Sequence, residues 1–171
     1  VAIVPMEGSF ALNSYDRVEL VTAAHAELDT WFLGGHSLGG VAAAQYCYEN
    51  PAVLDGLILH AAYPAEENDL SGAEIAVTSI WGTKDGSTTP EKIDDSRPLL
   101  PGDTVFVELT GGNHAQFAYY GEQSGDNPAE ITHEKQQDLV RGATIHFMNS
   151  TLAGEVEPSA ALALGEAEEK D

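Results

Sequence analysis

With 171 residues, 17 glycines and a hydrophobic share of 43%, the chain is sized for one domain with many tight turns. Its 28 acidic residues stand against 7 Lys plus Arg, a formal charge of −21 that repels phosphate backbones and argues against a nucleic-acid partner. A single cysteine, Cys47, excludes an intrachain disulfide and a thiolate metal cage, and no apolar run approaches the roughly 20 residues needed to span a bilayer.

Residues 1–5 (VAIVP) form a short β-branched run closed by Pro5 and read as a buried strand. Residues 13–26 set Val18, Leu20 and Val21 on one face of an amphipathic helix, with Asn13 or Ser14 as its N-cap. A second strand is expected at 31–35. The alanine-rich stretch 38–49 (LGGVAAAQYCYE) predicts a helix with Cys47 on its buried side, stopped by Asn50-Pro51. Strands follow at 54–60 and 75–81. A short helix at 90–95 has Pro90 at its first position and Thr89 as candidate cap. A fifth strand is expected at 104–109. The final helix, 132–149, turns Leu139, Val140, Ala143, Ile145, Phe147 and Met148 toward the sheet.

The domain is thus expected to occupy 1–150, followed by an acidic flexible tail at 151–171 that is rich in Ala and Glu and holds six acids against one lysine. No repeat at solenoid periods and no signal peptide are visible. A cytoplasmic location is favoured, although the opening VAIVP reads as the middle of a protein and leaves an upstream signal or anchor open.

Strands alternating with helices predict an α/β fold, a mostly parallel sheet flanked by helices, with ligands at the carboxyl ends of the strands. The loops after each strand therefore carry the argument. Gly35-His36-Ser37-Leu38-Gly39 matches G-x-S-x-G, between a predicted strand and a predicted helix. In that setting a sharp turn strains the serine backbone and lifts its hydroxyl above the sheet. The Leu38 N–H then points at the same spot from the positive end of the helix, as an oxyanion donor would. A P-loop reading fails because Val41 and Ala42 follow Gly40 where Lys and Ser or Thr are required.

A serine nucleophile needs a base, and the base needs an orienting acid. Asp85, in GTKDG, follows the 75–81 strand, and His114, in GGNH, follows the 104–109 strand, so the order is Ser, Asp, His. Taken singly, Asp85 also reads as the acid of an Asp-Gly turn and His114 as a capping or surface histidine. His25, His60, His133 and His146 have no metal-ligand spacing, so no metal and no cofactor are expected.

GGHSLGG, GTKDGSTTPE and GGNHAQFAYYGEQSGD together resemble the α/β-hydrolase superfamily. More narrowly, they resemble a bacterial and archaeal group of small α/β hydrolases related to dienelactone-hydrolase-like esterases. The likeness runs from Val1 to about Met148. It implies acyl hydrolysis with Ser37, Asp85 and His114 as a catalytic triad. The family places earlier strands, a helix and a second oxyanion donor ahead of the point where this chain begins.

The expected activity is hydrolysis of small carboxylic esters or thioesters through an acyl-enzyme. A non-catalytic binding protein on the same fold, an amide hydrolase and a perhydrolase stay open as alternatives. The expected partner is a small ester. The oligomeric state is not legible. Residues 61–72 are too few for a lid domain, which predicts an open site. The surplus of acid and scarcity of lysine also resemble proteins of salt-loving microbes, whose self-repulsion concentrated salt relieves.

Overall fold

The computed structural model describes residues 1–155 and the backbone of 162–164. Among the described residues five parallel strands lie in sequence order: β1 (Phe32–His36), β2 (Gly56–His60), β3 (Ala76–Gly82), β4 (Val105–Leu109) and β5 (Leu162–Leu164). Four α-helices accompany them among the described residues: α1 (Val18–Ala24), α2 (Leu38–Glu49), α3 (Pro90–Ser96) and α4 (His133–Ala153). Both faces of the sheet are covered, as a parallel sheet requires. On one face Leu57, Leu59, Val77, Trp81 and Phe106 pack with Ala43, Ala44, Tyr46 and Cys47 of α2 and Ile93 of α3. On the other, Ile80, Val107 and Leu109 pack with Val140 of α4 and Phe117. Burial pushes the Cys47 thiol up to about 11, which keeps it unreactive at neutral pH.

The registers align the strand ends that matter. His36 faces His60 across β1 and β2, and Gly82 faces Leu109 across β3 and β4. The loops after β1, β3 and β4 therefore leave the sheet on one side, next to one another.

Several expectations change. Residues 1–5 form no strand: they make no ladder bonds, and Val1 and Ile3 are exposed while only Val4 reaches the core. The β-branched run lacks a paired neighbour, and propensity alone does not make a strand. The helix expected at 13–26 shortens to Val18–Ala24, preceded by 3₁₀ turns at Ala11–Asn13 and Tyr15–Arg17. Neither Asn13 nor Ser14 caps it; the Ser14 hydroxyl instead accepts the Glu7 N–H at 3.0 Å. Thr89 makes no side-chain cap on α3, whereas the Thr132 hydroxyl caps α4 by accepting the Lys135 N–H. Ile145 is half exposed, because the buried stripe of α4 runs through Gln136, Val140 and Phe147.

The final helix continues to Ala153 and ends on Gly154, whose φ of 70° suits the left-handed position that closes a helix. Leu162–Leu164 pairs with Val107–Leu109 as an added strand. The remainder of the expected acidic tail lies outside the described residues.

Candidate active site

Ser37 links β1 to α2 with φ 53° and ψ −124°, a conformation that costs an L-residue roughly 1–3 kcal/mol. The surroundings impose it. The Ser37 N–H donates to the His60 carbonyl at the end of β2 (3.0 Å), and the Ser37 carbonyl accepts from Gly40 and Val41 in the first turn of α2. The turn is so tight that a Cβ on Gly35 would lie 2.2 Å from the Gly39 carbonyl, and one on Gly40 would lie 2.4 Å from the Ala62 methyl. Gly35 is thus sterically required. Gly39, the last glycine of the G-x-S-x-G match, has open space where its Cβ would be, so Gly40 rather than Gly39 is the second close approach. Leu38 is the first residue of α2, where an N–H has no acceptor in its own helix, and its side chain is partly exposed.

Asp85 and His114 are both buried and meet directly, with Nδ1 of His114 2.8 Å from Oδ2 of Asp85. A carboxylate only accepts, so the imidazole proton sits on Nδ1 and Nε2 is left as the basic nitrogen. The other carboxylate oxygen, Oδ1, accepts the Ser87 N–H (2.8 Å) and the Thr88 N–H (2.6 Å). Asp85 is therefore fixed by its own turn before it holds the histidine. The Thr88 hydroxyl donates to the carbonyl of Ala61, which follows β2 with an unusual positive φ of 46°. Nε2 of His114 is buried and has no hydrogen-bond partner among the described residues, so the Ser37 hydroxyl is not bonded to it.

His36, the variable residue of the G-x-S-x-G turn, packs on this pair. Its ring lies 4.6 Å from that of His114, 5.6 Å from Phe117 in a near-parallel stack, and 6.2 Å from Tyr120. Burial first, then the neighbouring His114, lowers its pKa to about 4. At neutral pH it is an uncharged wall beside His114 rather than a competing cation. His60 is likewise lowered to about 4 by burial, and its Nε2 lies 3.0 Å from the Thr144 hydroxyl. His25 and His133 are engaged elsewhere, His25 with Glu27 and His133 with the Ala118 carbonyl.

Three supporting residues escape sequence reading. Gln136 of α4 is fully buried and grips Asn113, the residue before His114, by accepting its N–H (3.0 Å) and donating to its carbonyl (2.7 Å). The Asn113 amide in turn donates to the Asn127 carbonyl at 2.7 Å. Asp126 accepts from the loops of both Asp85 and His114. Gln136 left a signal: a polar residue four positions before Val140, on the helix stripe that should be apolar. Asp126, in a glycine-rich turn, left none.

A cavity of about 660 Å³ lies beside the histidine loop, lined by residues that include Asn113, Gln116, Tyr119, Gln123 and His133. A second, of about 320 Å³, runs along the outer side of β1 past Gly35 and Gly39. Among the described residues no cluster of three metal-ligating side chains occurs, and no helix is long and apolar enough to cross a membrane.

A strained serine between β1 and α2, with a buried carboxylate–imidazole pair past the ends of β3 and β4 on the same edge of a parallel sheet, is the arrangement expected of an α/β hydrolase. The chain belongs to the alpha/beta hydrolase family, whose model matches residues 1–138. No curated protein sequence matches it. Among solved structures it is similar to a predicted CIB-like hydrolase from Thermoplasma acidophilum. That likeness has 17% identity and a TM-score of 0.61, and covers 85% of this chain and 63% of that one. A thermophilic esterase from Thermogutta terrifontis is similar at 12% identity and a TM-score of 0.60, over 88% and 75% of the two chains. A monoacylglycerol lipase from Paleococcus ferrophilus is similar at 16% identity and a TM-score of 0.54, over 77% and 76%. At these identities the likeness is one of fold.

Proposed function

We propose that the protein is a serine hydrolase of small carboxylic esters or thioesters, acting through an acyl-enzyme. The observation that carries this reading is the 2.8 Å bond between Asp85 and His114 Nδ1, with the basic Nε2 left unpartnered and the His36 ring, adjacent in sequence to Ser37, packed on that of His114. In this reading the Ser37 hydroxyl attacks the acyl carbon and passes its proton to His114 Nε2. The Leu38 N–H stabilises the oxyanion. His114 returns the proton to the departing alcohol or thiol, then takes one from the water that attacks the acyl-enzyme and passes it to the Ser37 oxygen as the carboxylic acid leaves. Asp85 keeps the imidazole in the accepting tautomer. Serine–histidine hydrogen bonds are often long until substrate seats, so the unmade Ser37–His114 bond does not count against the assignment.

The esterase and lipase likenesses support acyl hydrolysis, and the short 61–72 connection supports an open site for small substrates. The test is turnover across a series of p-nitrophenyl esters. Acetate and butyrate should be cleaved faster than palmitate, with no jump in rate at the emulsion threshold, and His114→Ala should lose several orders of magnitude in rate. A preference for emulsified long chains would refute the open-site reading, and an undiminished His114→Ala rate would remove His114 from the chemistry.

A further inference from the structure

The Asp85–His114 bond joins two loops that leave the sheet separately, one after β3 and one after β4. On the strand side those loops are already tied: the Lys84 N–H donates to the Gly112 carbonyl (2.8 Å), and the Gly111 N–H donates to the Thr83 hydroxyl (2.8 Å). On the far side, the carboxylate of Asp126 makes the link. Its Oδ1 accepts the N–H of Gly86, the residue after Asp85, at 2.9 Å, and also the Asn127 N–H at 2.9 Å. Its Oδ2 accepts the N–H of Ala115, the residue after His114, at 2.8 Å. The packing is close on this side too, since a Cβ on Gly86 would lie 2.5 Å from the Gly125 carbonyl.

We propose that Asp126 is a positioning residue: its carboxylate ties the Asp85 loop to the His114 loop and so holds that pair at hydrogen-bond distance. Only a carboxylate can do this with both oxygens, because each faces a backbone donor. Asparagine keeps one acceptor and turns an N–H₂ toward the other donor. Alanine keeps neither. A misplacement near 1 Å of a reacting group is enough to lower a rate about 100-fold. The effect on turnover rests on the serine-hydrolase reading above, whereas the effect on the Asp85–His114 bond does not.

The test therefore uses two readouts on Asp126→Ala and Asp126→Asn, with folding followed by thermal melts. Turnover of p-nitrophenyl acetate should show kcat about 100-fold lower for Asp126→Ala and intermediate for Asp126→Asn, with KM within about threefold. Two-bond ¹⁵N–¹H spectra of the imidazoles, recorded in Ser37→Ala protein, should show the His114 Nδ1 and Nε2 shifts moving toward each other as the fixed tautomer becomes a mixture. His114 ¹⁵N shifts unmoved in either folded variant overturn the proposal whatever the activity. Moved shifts with unchanged kcat keep the tie and count against the serine-hydrolase reading. Failure of both variants to fold would also overturn the proposal, in favour of a purely structural carboxylate.

Discussion

Replacing Asp85 by asparagine separates the geometry of this site from its chemistry. The new side chain can keep its carbonyl oxygen where Oδ1 now accepts the Ser87 and Thr88 N–H groups at 2.8 and 2.6 Å. Those two bonds fix which way the amide faces, and they direct its N–H₂ at His114 Nδ1, where Oδ2 now stands 2.8 Å away. A donor facing Nδ1 forces the imidazole proton onto Nε2. The base then points a hydrogen at Ser37 and cannot take the serine proton. The shape of the site survives while its tautomer is wrong. Serine hydrolase triads lose about 10⁴ in kcat from this exchange, which corresponds to roughly 5.4 kcal/mol of transition-state stabilisation. The assay is kcat for p-nitrophenyl acetate, with a thermal melt to show that Asp85→Asn remains folded. A folded Asp85→Asn protein within about tenfold of the wild-type rate would refute the claim that Asp85 sets the tautomer.

Three further outcomes follow from the packing and the charge. Gly35→Ala places a methyl 2.2 Å from backbone atoms of Gly39 and should cost at least roughly 1–3 kcal/mol, whereas Gly39→Ala meets open space and should melt within a few degrees of wild type; equal melting temperatures would refute the steric account of the turn. His36 and His60 bind protons in the unfolded chain near pH 6.5 but in the folded one only near pH 4, so stability present above pH 6.5 is lost as the pH falls toward 4, by up to about 3 kcal/mol for each group. Urea unfolding at pH 7 and pH 4.5 measures the loss, and His60→Phe should flatten it; an unchanged slope would contradict the burial argument. At a formal −21, repulsion in the folded chain should weaken as the screening length falls from about 10 Å at 0.1 M salt to about 3 Å at 1 M. A melt series in rising KCl should show the melting temperature climbing, and a flat series would reject a halophilic design.

The parts of the molecule that sequence made legible are those in which local pattern and burial agree. The strands at 32–36, 56–60, 76–82 and 105–109 are apolar runs bounded by turn residues, and α2 starts and stops at the predicted positions because the Ser37 turn and Asn50-Pro51 both act locally. That Asp85 and His114 lie close together was legible because each follows a strand, and parallel strands end on the same edge of the sheet. The run 1–5 misled because its composition is that of a strand, while strand formation depends on a neighbour the run does not have. The site's supporting contacts are long-range: Asp126 lies 40 residues from Gly86 and Gln136 lies 23 from Asn113, separations at which no periodicity speaks. His36 was visible only as the variable position of a motif. Its stack against His114, Phe117 and Tyr120 depends on how β1 and the loop after β4 meet in space.

The central claim is that Ser37 forms a covalent bond to the acyl group. Intact-mass spectrometry after reaction with a fluorophosphonate reports on this most directly, because it reads the modified oxygen without reference to any natural substrate. The account predicts a single adduct that maps to Ser37, forms at least about 100-fold more slowly in His114→Ala, and is absent in Ser37→Ala. An adduct that persists in Ser37→Ala, or a wild-type protein that stays unlabelled, would contradict it.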